Sequence, residues 1–177
     1  EIPDFGTVEP VQTALPIPTP DAWDAPTIEP ETQLTSITIT AAGDCTLGGD
    51  YNTDLHERFD SFAAEYGYDY FLENVRDIFE SDDLTFVNLE GPLTTSVEKR
   101  EARPFNFKGA PEYVEILSGS SVEVAGVANN HALDFGLSGL KETAQVLADA
   151  GVGVCGYRNA YRTEINGVLV TCLSFTE

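Results

Sequence analysis

The sequence has no methionine, three cysteines, two histidines and one tryptophan in 177 residues. A chain without methionine does not begin at a natural start, so Glu1 reads as the first residue of a mature or trimmed piece. Three cysteines, Cys45, Cys155 and Cys172, cannot make a disulfide framework. Cys155 and Cys172 fall in apolar runs and read as small buried hydrophobes, with a bridge between them open if their strands are neighbours. Cys45 follows Asp44, and no His or Lys evidently stands near to activate it. No apolar run is long enough to span a bilayer. Basic residues are also scarce: nine Lys and Arg face 30 Asp and Glu, a formal net charge of −21. That balance opposes binding to nucleic acid or to an anionic membrane surface and suits a secreted or surface protein. A Gly-rich phosphate loop is missing as well. Gly43 and the pair Gly48-Gly49 are followed by Asp50, with no Gly-Lys-Ser/Thr, which excludes a P-loop.

Residues 1–35 hold seven of the ten prolines, with Thr and acids between them. Such a stretch reads as an extended, semi-rigid spacer, or equally as a tail that only aids solubility. A spacer suits a cell-surface location, with the membrane anchor upstream of residue 1. The folded part spans 36–177. Ser36–Thr40 alternates in the strand period, and a strand is expected over Ile37–Ala42. Residues 51–66 read as a loop with a short helix, and His56 as a surface residue of it. A helix is expected over Tyr70–Glu80, with Phe71, Leu72, Val75, Ile78 and Phe79 on one face. Strands follow at Leu84–Val87 and Val122–Val127, separated by a long loop (91–108) and a helix at Pro111–Leu117. Ser138–Ala150 reads as a helix with Leu140, Ala144, Leu147 and Ala148 inward, Ser138 as N-cap and Gly151 as stop. Val152–Cys155 and Val168–Phe175 complete the strands, the last following an Ile165-Asn166-Gly167 turn. Strands alternating with helices mean a layered α/β sheet.

Three polar clusters sit at strand ends, where ligands bind in open α/β sheets. Gly43-Asp44 follows the first strand, and Asp44 reads as a metal ligand or as a turn residue capping local backbone. Asn88-Leu89-Glu90-Gly91 follows the second, with Asn88 and Glu90 on one side. Glu90 could bridge two metal ions, or could be a turn Glu before Pro92. The third cluster is Ala128-Asn129-Asn130-His131-Ala132-Leu133-Asp134-Phe135-Gly136. Its amide oxygens suit a hard cation, and His131 could ligate metal or give a proton to a phosphate oxygen. The alternative is a satisfied residue at a helix start.

The three motifs in this order resemble the bacterial poly-gamma-glutamate capsule-biosynthesis family, of the calcineurin-like metallophosphatase superfamily. The resemblance covers about residues 37–177. It implies a metallophosphatase-like layered α/β sandwich, truncated at its C-terminal side. It also implies Asp44, Glu90 and Asn130 as ligands of a divalent metal (Mn, Fe, Zn or Mg) and His131 as the catalytic residue. Asn88 and Asn129 then stand behind them or touch substrate. Ordinary metallophosphatases carry a His two positions after the first Asp, and here that position is Thr46. The later histidine motifs that supply further ligands are missing, so a metal held by this stretch alone should be weak.

Two functions fit. One is a metal-dependent hydrolase of a phosphoester or related bond. The other is a non-catalytic component that binds or exports an anionic capsule polymer together with membrane capsule-synthesis machinery. Sheet edges left bare by the truncation invite a homodimer.

Overall fold

The computed structural model describes residues 35–101 and 103–177. All of the expected spacer except Thr35 lies outside the described residues.

A four-stranded parallel sheet forms the frame, in the order β1-β3-β5-β6. Its strands are β1 (Ile39–Cys45), β3 (Leu84–Leu89), β5 (Val124–Gly126) and β6 (Gly153–Cys155). A short antiparallel ribbon, β2 (Gly49–Asp50) with β4 (Phe107–Lys108), stands beyond the carboxyl end of β1. The hairpin β7 (Tyr161–Ile165) and β8 (Val168–Cys172) makes a third unit. The helices are α1 (Leu55–Tyr66), α2 (Arg76–Glu80), α3 (Val114–Ser118) and α4 (Gly136–Asp149).

Strand alternation sorts the core into two layers. Val87, Leu89 and Ala125 face one cluster, shared with Ile116 and Leu117 of α3 and Leu140 and Leu147 of α4. Leu84, Val124 and Cys155 face the other, where the β7–β8 hairpin supplies Tyr161, Ile165, Val170 and Cys172. The central strands are therefore apolar on both sides, as a covered parallel sheet requires. The expected layered α/β arrangement is the one observed.

Helix α4 stops as its sequence suggests. Gly151 takes φ 78°, its N–H meets Ala148 O at 3.1 Å, and Val152 N–H meets Leu147 O at 2.9 Å. This is a Schellman closure, completed by contact between buried Val152 and Leu147. The start differs from expectation. The helix opens at Gly136 (φ 67°), two residues before Ser138, whose hydroxyl donates back to Phe135 O at 3.4 Å. Ser138 is thus inside the first turn. Ala148 is exposed, and Thr143 takes the inward place between Leu140 and Leu147.

Other boundaries also moved. The Tyr70–Glu80 helix is broken into a 3-10 turn (Tyr68–Phe71) and the short α2. Asn74 and β-branched Val75 between them are weak helix formers. Ile78 turns out to solvent at 56% exposure, while Phe79 is buried. Residues 55–66 form a full helix, anchored by buried Ala63 and by Phe59 stacked on Phe71 at 4.4 Å. His56 lies on that helix, half-buried and stacked on Tyr51 at 4.1 Å. Strand β7 was hidden because charged residues occupy its outward positions, Arg162 and Glu164. The turn after it is as expected, with Asn166 and Gly167 both at positive φ.

Candidate functional site

Three parallel strands bring the three polar clusters to one end of the sheet. Strand β1 extends through Asp44, and β3 through Asn88, so both residues sit on strands rather than after them. A register shift at Gly43 inserts one residue into β1 and sets Asp44 opposite Asn88. Bulges re-aim side chains in this way at functional strand ends.

The side chains form one connected chain of hydrogen bonds. Asn88 Nδ2 donates to Asp44 Oδ1 at 2.8 Å. Asn129 Nδ2 donates to Asn88 Oδ1 at 3.1 Å and to Leu89 O at 2.8 Å. The other end of the Asn129 amide accepts from His131 N at 3.1 Å, a local turn that sets where the imidazole begins. His131 Nδ1 lies 2.7 Å from Asp134 Oδ2. An ionised carboxylate only accepts, so this contact assigns the ring proton to Nδ1. Nε2 is left facing Glu90, with Oε1 3.8 Å away. Glu90 is steadied in turn by Thr46 Oγ1, which donates to Oε2 at 3.1 Å. Phe107 lies over the imidazole with ring centroids 4.2 Å apart.

The burial of the partners is graded. Asp134 is almost fully buried (1% side-chain exposure), and His131 and Glu90 are 12% and 16% exposed. Asp44 is exposed. The arrangement is an anchored acid–imidazole pair whose free nitrogen opens toward a half-buried carboxylate.

Asn130 stands apart from this network. It is exposed and makes no hydrogen bond to the other site residues. It lines a cavity of about 380 Å³ with Ser174 and with Asn88 and Asn129 of the network. Ser174 donates to Ala128 O and accepts from Ala128 N, both at 3.2 Å, which pins the segment after β8 against the strand end.

Two residues of the network went unassigned in the sequence reading. Asp134 was in view within the motif, and its spacing three residues after His131 was the signal. Thr46 serves Glu90, donating from Oγ1 to Oε2. Cys45 is no nucleophile, because burial pushes its thiol up to about 11. Cys155 and Cys172 are free thiols that share one core cluster.

The donor chemistry of Asp44, Glu90 and Asn130 suits a divalent ion. Among the described residues, however, no three His, Cys, Asp or Glu side chains are grouped to hold one. The residues present do not fit a complete metal centre.

Among the described residues no helix is long and apolar enough to cross a membrane. No curated protein matches the chain. The family model for the bacterial capsule synthesis protein PGA_cap matches residues 38–177. That match spans the whole sheet and every residue of the network, and the chain belongs to the bacterial capsule synthesis protein family PGA_cap.

Proposed function

We propose that this capsule-synthesis protein acts on a phosphoester or related bond at the carboxyl ends of β1, β3 and β5. The observation that carries this reading is the His131–Asp134 pair. A buried carboxylate fixes the ring, and the opposite nitrogen faces the Glu90 carboxylate, 3.8 Å away. In that position His131, once protonated at Nε2, gives a proton to a developing oxyanion or leaving group. Asp134 holds the ring and offsets its positive charge. Asn129 orients the backbone of His131, and Asn88 links Asp44 to the same network. A divalent ion (Mn, Fe, Zn or Mg) here would need ligands beyond Asp44, Glu90 and Asn130.

The substrate belongs to an extracellular capsule polymer or its phosphorylated precursor, and the protein works at the cell surface beside membrane-bound synthesis machinery. The scarcity of bases, nine against 30 acids, supports a surface setting rather than a nucleic-acid partner. A second reading, a component that binds or exports polymer without chemistry, is favoured by the lack, among the described residues, of three grouped metal-ligating side chains. Pairing of two copies through a free sheet edge is part of either reading. At β6 that edge is partly closed, because Asn159 Nδ2 donates to Val154 O at 2.8 Å.

The test is hydrolysis of a general phosphoester by the full-length protein, with and without Mn²⁺, beside Asp44→Ala and His131→Ala. Activity lost in both variants supports the hydrolase. Wild-type protein that neither turns over substrate nor binds Mn²⁺ by calorimetry supports the polymer-handling reading.

A further inference from the structure

We propose that Arg158 and Arg100 bind the anionic part of the substrate, a phosphate group, at the carboxyl end of the sheet. This deepens the reading of the site and rests on it, by naming the side chains that hold the group His131 acts on.

The chain reverses after β6 within two residues. Gly156 N donates to Asn159 O at 2.9 Å and Asn159 N to Gly156 O at 3.0 Å. The central pair, Tyr157 and Arg158, takes φ 48° and 74°. Positive φ at both central positions is the type I′ pattern, which favours Asn-Gly. The turn between β7 and β8 has that pair, Asn166 and Gly167. The turn after β6 instead puts two bulky side chains where the backbone strains them. Packing accounts for Tyr157, whose ring lies against the larger core cluster. It does not account for Arg158, which is exposed. Among the described residues its guanidinium meets no carboxylate. Backbone strain that packing does not explain points to function.

The place of the turn says which function. It follows β6 directly, at the end of the sheet where β5 delivers Asn129 and His131. Gly156 lies so close to that motif that a Cβ on it would stand 2.8 Å from Ala128 N. Arg100 comes to the same corner. Its N–H meets Asp134 O at 2.7 Å. Burial pushes the Tyr157 phenol up, and the Arg100 charge pulls it the other way. Arg100 is also exposed, and among the described residues it too meets no carboxylate. The whole chain has nine bases against 30 acids. Two unpaired guanidiniums at one corner of the site are therefore a local positive rim on an acidic protein. Each presents paired donors that match the oxygens of a phosphate. A doubly charged monoester gains more from them than a singly charged diester.

Calorimetry with inorganic phosphate on the full-length protein tests the rim. Affinity should fall about tenfold in Arg158→Gly and in Arg100→Gln, the loss of one charge-assisted contact each. It should stay unchanged in Arg162→Gln, whose base lies on β7. Arg158→Gly carries a second readout. Glycine relieves the positive φ, so its thermal midpoint should match or exceed the parent's while binding falls. The proposal fails if the parent does not bind phosphate, or if either arginine variant leaves affinity intact. It also fails if Arg158→Gly melts below the parent, which would make Arg158 a structural residue. Turnover of phenyl phosphate is scored apart. An ester turned over with KM unchanged in both variants overturns the rim and leaves the hydrolase standing. Phosphate binding that depends on both arginines, with no turnover in the parent, overturns the hydrolase and leaves the rim standing.

Discussion

A single oxygen of Asp134 holds two different parts of the site. Oδ2 lies 2.7 Å from His131 Nδ1 and accepts from Phe107 N at 2.8 Å. The same carboxylate that orients the imidazole also fixes the strand whose aromatic ring covers it. Its other oxygen, Oδ1, is buried without a partner. Asp134 is therefore costly to fold around, and it stands at the centre of the network.

Asn129→Ala removes three contacts at once: to Asn88, to Leu89 O and from His131 N. The variant should fold but lose about 1–3 kcal/mol of stability, the usual cost of leaving buried polar partners unmet. Phosphoester turnover should drop further than Asn130→Ala makes it drop, because Asn130 lies outside the network. Urea unfolding and initial rates check both parts.

Glu142 of α4 ties down the loop after Glu90. Thr94 Oγ1, Thr95 N and Thr95 Oγ1 all donate to its carboxylate. Burial pushes its pKa up, but the bonds from Thr94 and Thr95 and the nearby Lys108 outweigh it and bring it below 4.5. A group depressed on folding contributes stability above its unfolded value and loses it as pH falls through the folded one. The parent protein should lose stability below about pH 4.5 more steeply than Glu142→Gln does. Because the group is only partly buried and water screens it, the gap near neutral pH should stay at or below ~1 kcal/mol. Denaturant midpoints across the acid range measure it.

Cys45 and Cys155 carry thiols pushed up to about 11 by burial. Near neutral pH both should react with thiol reagents far more slowly than a free cysteine, whose pKa is about 8.5. Labelling should accelerate to the free rate in denaturant. Rapid native labelling of Cys45 would contradict its reading as an inert core residue.

Much of this site was legible in the sequence, because strand ends in a parallel sheet are predictable ligand positions. Asp44, Asn88, Glu90, Asn129 and His131 are gathered at one end, as their places after apolar runs suggest. Two consecutive amides were harder. Asn129 turns into the network and Asn130 turns to solvent, a choice set by one residue of backbone phase that composition does not show. The Asp134 contact depends on how the chain turns after His131, with Asp134 N–H meeting His131 O at 3.0 Å. The elements misjudged were those whose apolar residues are few or interleaved with charge: α1, with only Ala63 buried, and β7, with Arg162 and Glu164 outward. Tertiary contact, not periodicity, fixes such segments.

The central claim is that Asp134 sets the state of His131 and leaves Nε2 facing Glu90. Nitrogen NMR of the His131 ring reads this directly, in the parent and in Asp134→Asn. The neutral ring should carry its proton on Nδ1 in the parent and lose that preference in the variant. A parent ring protonated on Nε2, or one unchanged by Asp134→Asn, would contradict the account.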